Sequence, residues 1–141
     1  MNDEQRLNDL AVEIRVGQQL SFAAVNRSEI DDLIDARDST EFEERWLRTF
    51  KKIDQHASEL SETQTAIIEE LREASYKAAF TVSESPDFSA FVSDDFEMIG
   101  RPVVLRIHDP WLNGLWLEYK QDRFPAGNID DVDGELSALL S

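Results

Sequence analysis

The chain has 141 residues, 30 acids against 14 bases, a formal net charge of −16 and no cysteine. That length suits one domain with a real core. The missing cysteines exclude a disulfide framework, a thiolate metal site and a cysteine nucleophile, and the net charge opposes binding to nucleic-acid phosphates or to an anionic membrane. Eight Phe, three Trp and two Tyr are far more aromatic residues than a disordered chain carries. The acid excess is spread along the chain, with 14 acids and 8 bases over 1–60 and 16 and 6 over 61–141.

The first residues, Met-Asn-Asp-Glu-Gln, are acidic where a signal peptide is basic and then apolar. No apolar stretch approaches the roughly 18 residues that a membrane span needs, so a cytoplasmic location is the default expectation. Leu7, Leu10, Ala11 and Ile14 then form one helix face, which is expected to continue past Gly17 toward Val25. Ser28 is the expected N-cap of a short helix with Ile30, Leu33 and Ile34 inward, ending near Arg37. Asp31 and Asp32 fall in its first turn, where the helix dipole favours negative charge.

Between Gly17 and Pro86 there is neither glycine nor proline, a gap of 68 positions, and long helices are expected there. One stripe runs through Phe42, Trp46, Phe50, Ile53, Ala57, Leu60, Gln64, Ile67, Leu71, Ala74, Ala78 and Val82. It covers 40 residues in 11 steps, a mean of 3.64, which is the helical period. Thr40 with Glu43 reads as a capping box at its start. An unbroken helix would be about 60 Å long, longer than a domain whose radius of gyration is about 14 Å. Ser61 with Gln64 is a second capping box, and the size argument favours a break near 58–63. A single rod would instead expose half its stripe and call for a twin, the basis of a self-associating, homodimeric alternative.

Ser85 and Pro86 read as N-cap and first helical residue. Phe88, Phe91, Val92, Phe96 and Ile99 share the next face, and Gly100 is the expected terminator. Residues 102–108 fit a short helix, an extended connector or at most a minor strand, since Val103, Leu105 and Ile107 alternate but lack a clear partner strand. Asp109 and Pro110 start another helix through Trp111, Leu112, Leu115, Trp116 and Tyr119, which stops before Phe124-Pro125. Gly114 counts against it, because a glycine inside a helix costs about 1 kcal/mol. Residues 128–141 read as an acidic, loosely held tail, with Leu136, Leu139 and Leu140 able to pack one turn. The expected architecture is all-α, a bundle of about five to six helices in a single domain over 1–127.

The sequence offers little chemistry. His56 and Glu59 have helical i, i+3 spacing, but the further Glu-x-x-His of a di-metal bundle is missing. His108-Asp109 lacks the additional histidines of a metal-dependent hydrolase. Asp130 to Glu135 resembles part of a calcium loop, yet its alignment puts Ile129 and Leu140 at ligand positions. No phosphate loop or nucleophile elbow occurs, so neither catalysis, a cofactor nor a metal is expected. The reading is a non-catalytic acidic protein that engages a basic partner protein, as an inhibitor, immunity-type or regulatory module. This rests on analogy of charge and size alone. Five acids and no base lie between Glu84 and Gly100. Glu84, Asp87, Asp94, Asp95 and Glu97, with the aromatic residues Trp111 and Trp116, are the expected partner-binding residues.

Overall fold

The computed structural model describes residues 2–140, and among these there are seven α-helices and no strand. They are α1 (Asp3–Arg15), α2 (Ile30–Arg37), α3 (Thr40–Asp54), α4 (Glu62–Ser83), α5 (Pro86–Leu105), α6 (Pro110–Lys120) and the single turn α7 (Leu136–Leu139). The chain is an all-α bundle. None of the helices is long and apolar enough to cross a membrane.

Helix α5 is the axis of the fold, because it is buried on nearly every side. Phe88, Val92, Phe96, Ile99 and Val103 are in the core, and so are Ser89, Ser93 and Gly100. The small residues let α4 approach closely. A Cβ on Gly100 would stand 3.2 Å from Leu71 Cδ2 and 3.5 Å from Ile68 Cγ1, with Leu7 of α1 just beyond. Gly100 is therefore a packing residue and not the expected terminator. The helix runs on through Pro102, at the cost of one backbone hydrogen bond. It ends where Arg106 turns left-handed (φ 58°) and its N–H donates to the Pro102 carbonyl. Residues 102–105 are thus helical.

The long stripe breaks where the second capping box lies. Helix α3 stops at Asp54, a short 3₁₀ turn follows, and Ser61 and Gln64 cap α4 reciprocally. Both halves of the stripe fold back onto the same chain, Phe42 and Ile53 from α3 and Ile67, Leu71 and Ala74 from α4. The uninterrupted exposed ridge that would call for a twin is therefore not formed. The start of α3 differs by one residue from the expected cap: the Ser39 hydroxyl accepts from Phe42 N. The predicted caps Ser85 and Asp109 accept from Phe88 N and Leu112 N.

Two other segments depart from expectation. Helix α1 ends at Arg15, and the chain then turns at Gly17 (φ 83°), with Leu20 and Phe22 also left-handed. Both of these side chains are buried, Phe22 edge-on to Phe88 and Tyr119, and core burial outweighs the roughly 1–2 kcal/mol each such conformation costs. Before α2, Asn26 and not Ser28 is the cap, accepting from Ser28 N at the head of a 3₁₀ turn.

Nor is the described part of the acidic tail, residues 128–140, loosely held. Val132 N donates to the Pro110 carbonyl, and the Asn113 amide donates to the carbonyls of Val132 and Gly134. Trp116 Nε1 donates to Leu139 O, and Leu136 and Leu140 are buried. Gly114 explains itself here: a Cβ would lie 2.1 Å from the Asp130 carbonyl oxygen. The glycine that weakens α6 as a helix is what lets the tail lie across it.

Candidate protein-docking cleft

Asp95 sits on the buried face of α5 and is fully enclosed. An isolated carboxylate there would be prohibitively costly, so it must be paired and hydrogen-bonded. Arg37, the last residue of α2, meets it in a bidentate pair, Nη1 to Oδ2 at 2.8 Å and Nη2 to Oδ1 at 2.9 Å. Trp46 Nε1 of α3 donates to Oδ1 at 2.8 Å, and the Tyr119 hydroxyl of α6 donates to Oδ2 at 2.5 Å. Four donors from three helices thus converge on one carboxylate, and Arg37 also reaches the Pro125 carbonyl. The guanidinium lies over the rings of Phe42, Phe124 and Phe91, at 4.3, 4.9 and 5.3 Å from their centroids.

The electrostatics follow from this enclosure. Burial pulls the Arg37 guanidinium down, but the charge and hydrogen bonds of Asp95 outweigh it and hold the group above its ordinary value. Burial, reinforced by Asp95, pushes the Tyr119 phenol well above its ordinary value of 10.0, so it stays protonated and donates. The cluster is a fixed, neutral fastening between α2, α3, α5 and α6.

Above this fastening opens a cleft of about 390 Å³. Its walls are largely apolar: Phe42, Trp46 and Leu47 from α3 and Phe91 from α5. Leu47 is 48% exposed and forms the outer lip. Trp46 stacks on Phe50 with the rings 6° from parallel, and its indole N–H is held by Asp95, so the wall is rigid. Three carboxylates, Asp38, Glu43 and Asp94, also line the cleft, and so does Arg37 at its floor. Asp94 has its pKa raised, first by partial burial, against which Arg72 pulls it down while Asp95 and Glu97 push it up again.

A run of acids beside this cleft is left without ion pairs. From Glu29 to Glu44 there are eight acids, and the one base is the buried Arg37. All eight are exposed, and the ion pairs formed among the described residues involve none of them. Helix α2 and the first turn of α3 therefore carry a long run of uncompensated negative charge.

The acids expected at a docking patch between 84 and 100 behave differently. Asp95 is at the centre of the core fastening, so it is no surface residue. Glu97 pairs with Arg72 and Arg101, and Asp94 with Arg72 at 3.1 Å. Glu84 is 3.2 Å from Arg27 at the end of α4, while Asp87 is exposed in the first turn of α5. Trp111 and Trp116 are corrections too: both are buried, Trp111 edge-on to Phe42 and Trp116 edge-on to Phe96. Their size made them core before it made them anchors. Of the expected residues only Asp94 lines the cleft.

His56 and Glu59 touch each other at the exposed turn between α3 and α4. Among the described residues no three His, Asp or Glu side chains converge as a metal ion would require.

A family model for immunity protein PIM1 matches residues 9–126, a stretch that contains both walls of the cleft and the whole of the Arg37–Asp95 fastening. No curated protein matches the chain. An immunity protein acts by binding a partner protein, a toxin, and its role is of the non-catalytic, inhibitor type. With 118 of 141 residues matched, the chain belongs to the immunity protein PIM1 family.

Proposed function

We propose that this chain neutralises a basic toxin by docking it against α2 and the start of α3, around the cleft between Phe42, Trp46, Leu47 and Phe91. The observation that carries this reading is the coincidence of two features in one segment, with Asp38 and Glu43 of the acid run lining the cleft itself. Eight exposed acids without ion pairs, Glu29 to Glu44, adjoin a rigid, half-open aromatic cleft. Charge of one sign steers a cationic partner and rejects acidic competitors, while an aromatic and aliphatic centre supplies the desolvated contact that gives residence time. The fastening beneath removes side-chain freedom before the partner arrives, which lowers the ordering cost of association.

The test is to purify the chain with the product of a toxin-like reading frame adjacent to its own and to follow association at rising salt. The expected result is a tight complex whose association rate falls steeply with ionic strength while dissociation changes little. A rate indifferent to salt contradicts the proposal.

A further inference from the structure

Resting on that reading, we infer that the cleft takes a single arginine side chain from the partner, its guanidinium held between the aromatic wall and the carboxylates of Asp38, Glu43 and Asp94. The wall is mainly apolar, and a strongly hydrated ammonium would lose much of its water there. A guanidinium is planar and weakly hydrated, lies well on aromatic faces and offers five donors to surrounding carboxylates. The molecule already solves this problem once: directly beneath, Arg37 lies over Phe42 and Phe91 and donates to a carboxylate. Phe91, only partly buried, thus serves both the buried site and the open one, while the buried Phe42 forms the floor between them. Asp38 and Glu43 form no ion pair among the described residues, and Arg37, which also lines the cleft, is already paired with Asp95. Asp94 is held by Arg72 on one side only. Its raised pKa is consistent with a carboxylate that an incoming cation would favour.

The arrangement separates the cleft from diffuse attraction, and a matched pair of variants tests it. Asp38→Asn with Glu43→Gln removes two charges from the cleft. Asp31→Asn with Asp32→Asn removes two from the same acidic run outside it. None of the four side chains takes part in a hydrogen bond that holds the fold, so all variants are expected to fold. The probe is an acetylated tri-arginine peptide, with tri-lysine and tri-citrulline peptides beside it, titrated into the full ¹⁵N-labelled chain. The readout is the indole N–H resonance of Trp46, which reports the hydrogen bond to Asp95.

The expected result is a saturable shift with tri-arginine, several-fold weaker with tri-lysine and absent with tri-citrulline. The cleft variant loses about tenfold in affinity, the sum of two modest ion pairs, and the control variant much less. Equal losses in the two variants, or equal binding of lysine and arginine, overturn the inference while leaving an acidic docking face intact. No shift at Trp46 overturns it as well. Failure of the broader reading shows separately, as salt-independent association with the toxin.

Discussion

The two halves of the bundle are held together by different physics. On one side α1 and α4 pack on α5 by shape: Leu7, Leu71 and Ile68 close around Gly100, and small residues let the backbones approach. On the other side α2, α3 and α6 are fastened through four hydrogen bonds to the single carboxylate of Asp95. The first half owes its stability mainly to burial and dispersion, with Arg72 of α4 pairing Asp94 and Glu97 of α5 at its edge. The second places a charge pair where hydrophobic residues would pack at lower desolvation cost. What that pair adds is direction, because Trp46 and the rings around Arg37 can sit in one arrangement only. The outward-facing cleft lies between this second half and α5, so its shape depends on the fastening more than on the packing of α1 and α4.

Removing Asp95 should break this comparison most strongly. Asp95→Ala leaves Arg37 buried and unpaired, and a loss of about 3–5 kcal/mol is expected in denaturant unfolding. Leu71→Ala, in the other half, should cost a comparable amount, about 2–5 kcal/mol, through its cavity. The two differ in what survives. The Leu71 variant should keep the native indole resonance of Trp46, and any folded Asp95 variant should lose it. If Asp95→Ala leaves that resonance in place, the fastening does not set the cleft.

Tyr119→Phe removes one of the four donors without changing the shape of the ring. A loss of about 1.5–3 kcal/mol is expected near neutral pH, since the acceptor is charged. The folded phenol has its pKa raised, so the unfolded chain loses this proton first as pH climbs past about 10. The stability the phenol contributes is therefore complete below pH 10 and is lost above it. The gap between wild type and variant should narrow in alkaline unfolding; a constant gap would argue against a protonated donor.

The smallest effect is expected at Asp94. Its raised pKa means that ionisation, as pH rises, costs the folded state relative to the unfolded one. Asp94→Asn should raise Tm slightly near neutral pH, and the gain should vanish in acid, where the carboxyl is protonated in both states. The same variant should weaken toxin binding, so stability and affinity move in opposite directions. Parallel losses would mean that Asp94 serves the fold through Arg72 alone.

The half held by shape was largely legible in the chain. The Ser61–Gln64 box and the Ser85-Pro86 start are local signals, and each sits within a few residues of the groups it satisfies. The fastened half was not, because Arg37 and Asp95 lie 58 positions apart and no local rule links them. One signal was present. Asp95 falls in helical phase with Val92 and Ile99, and Arg37 with Ile30 and Ile34, so each charge occupies its helix's apolar stripe. Two opposite charges so placed must meet each other or unfold their helices. Reading Asp94, Asp95 and Glu97 as one acidic cluster hid that difference. The run from Glu29 to Glu44 is denser in acids than 84–100, and its one base, Arg37, is buried.

The most direct measurement is amide hydrogen exchange of the chain in its toxin complex against the free chain. Added protection is expected over residues 30–47 and around Phe91 and Asp94. The outer face of α4, where Tyr76 and Phe80 stack, should exchange as before. Protection confined to α4, with residues 30–47 unchanged, would contradict the assignment of the docking face.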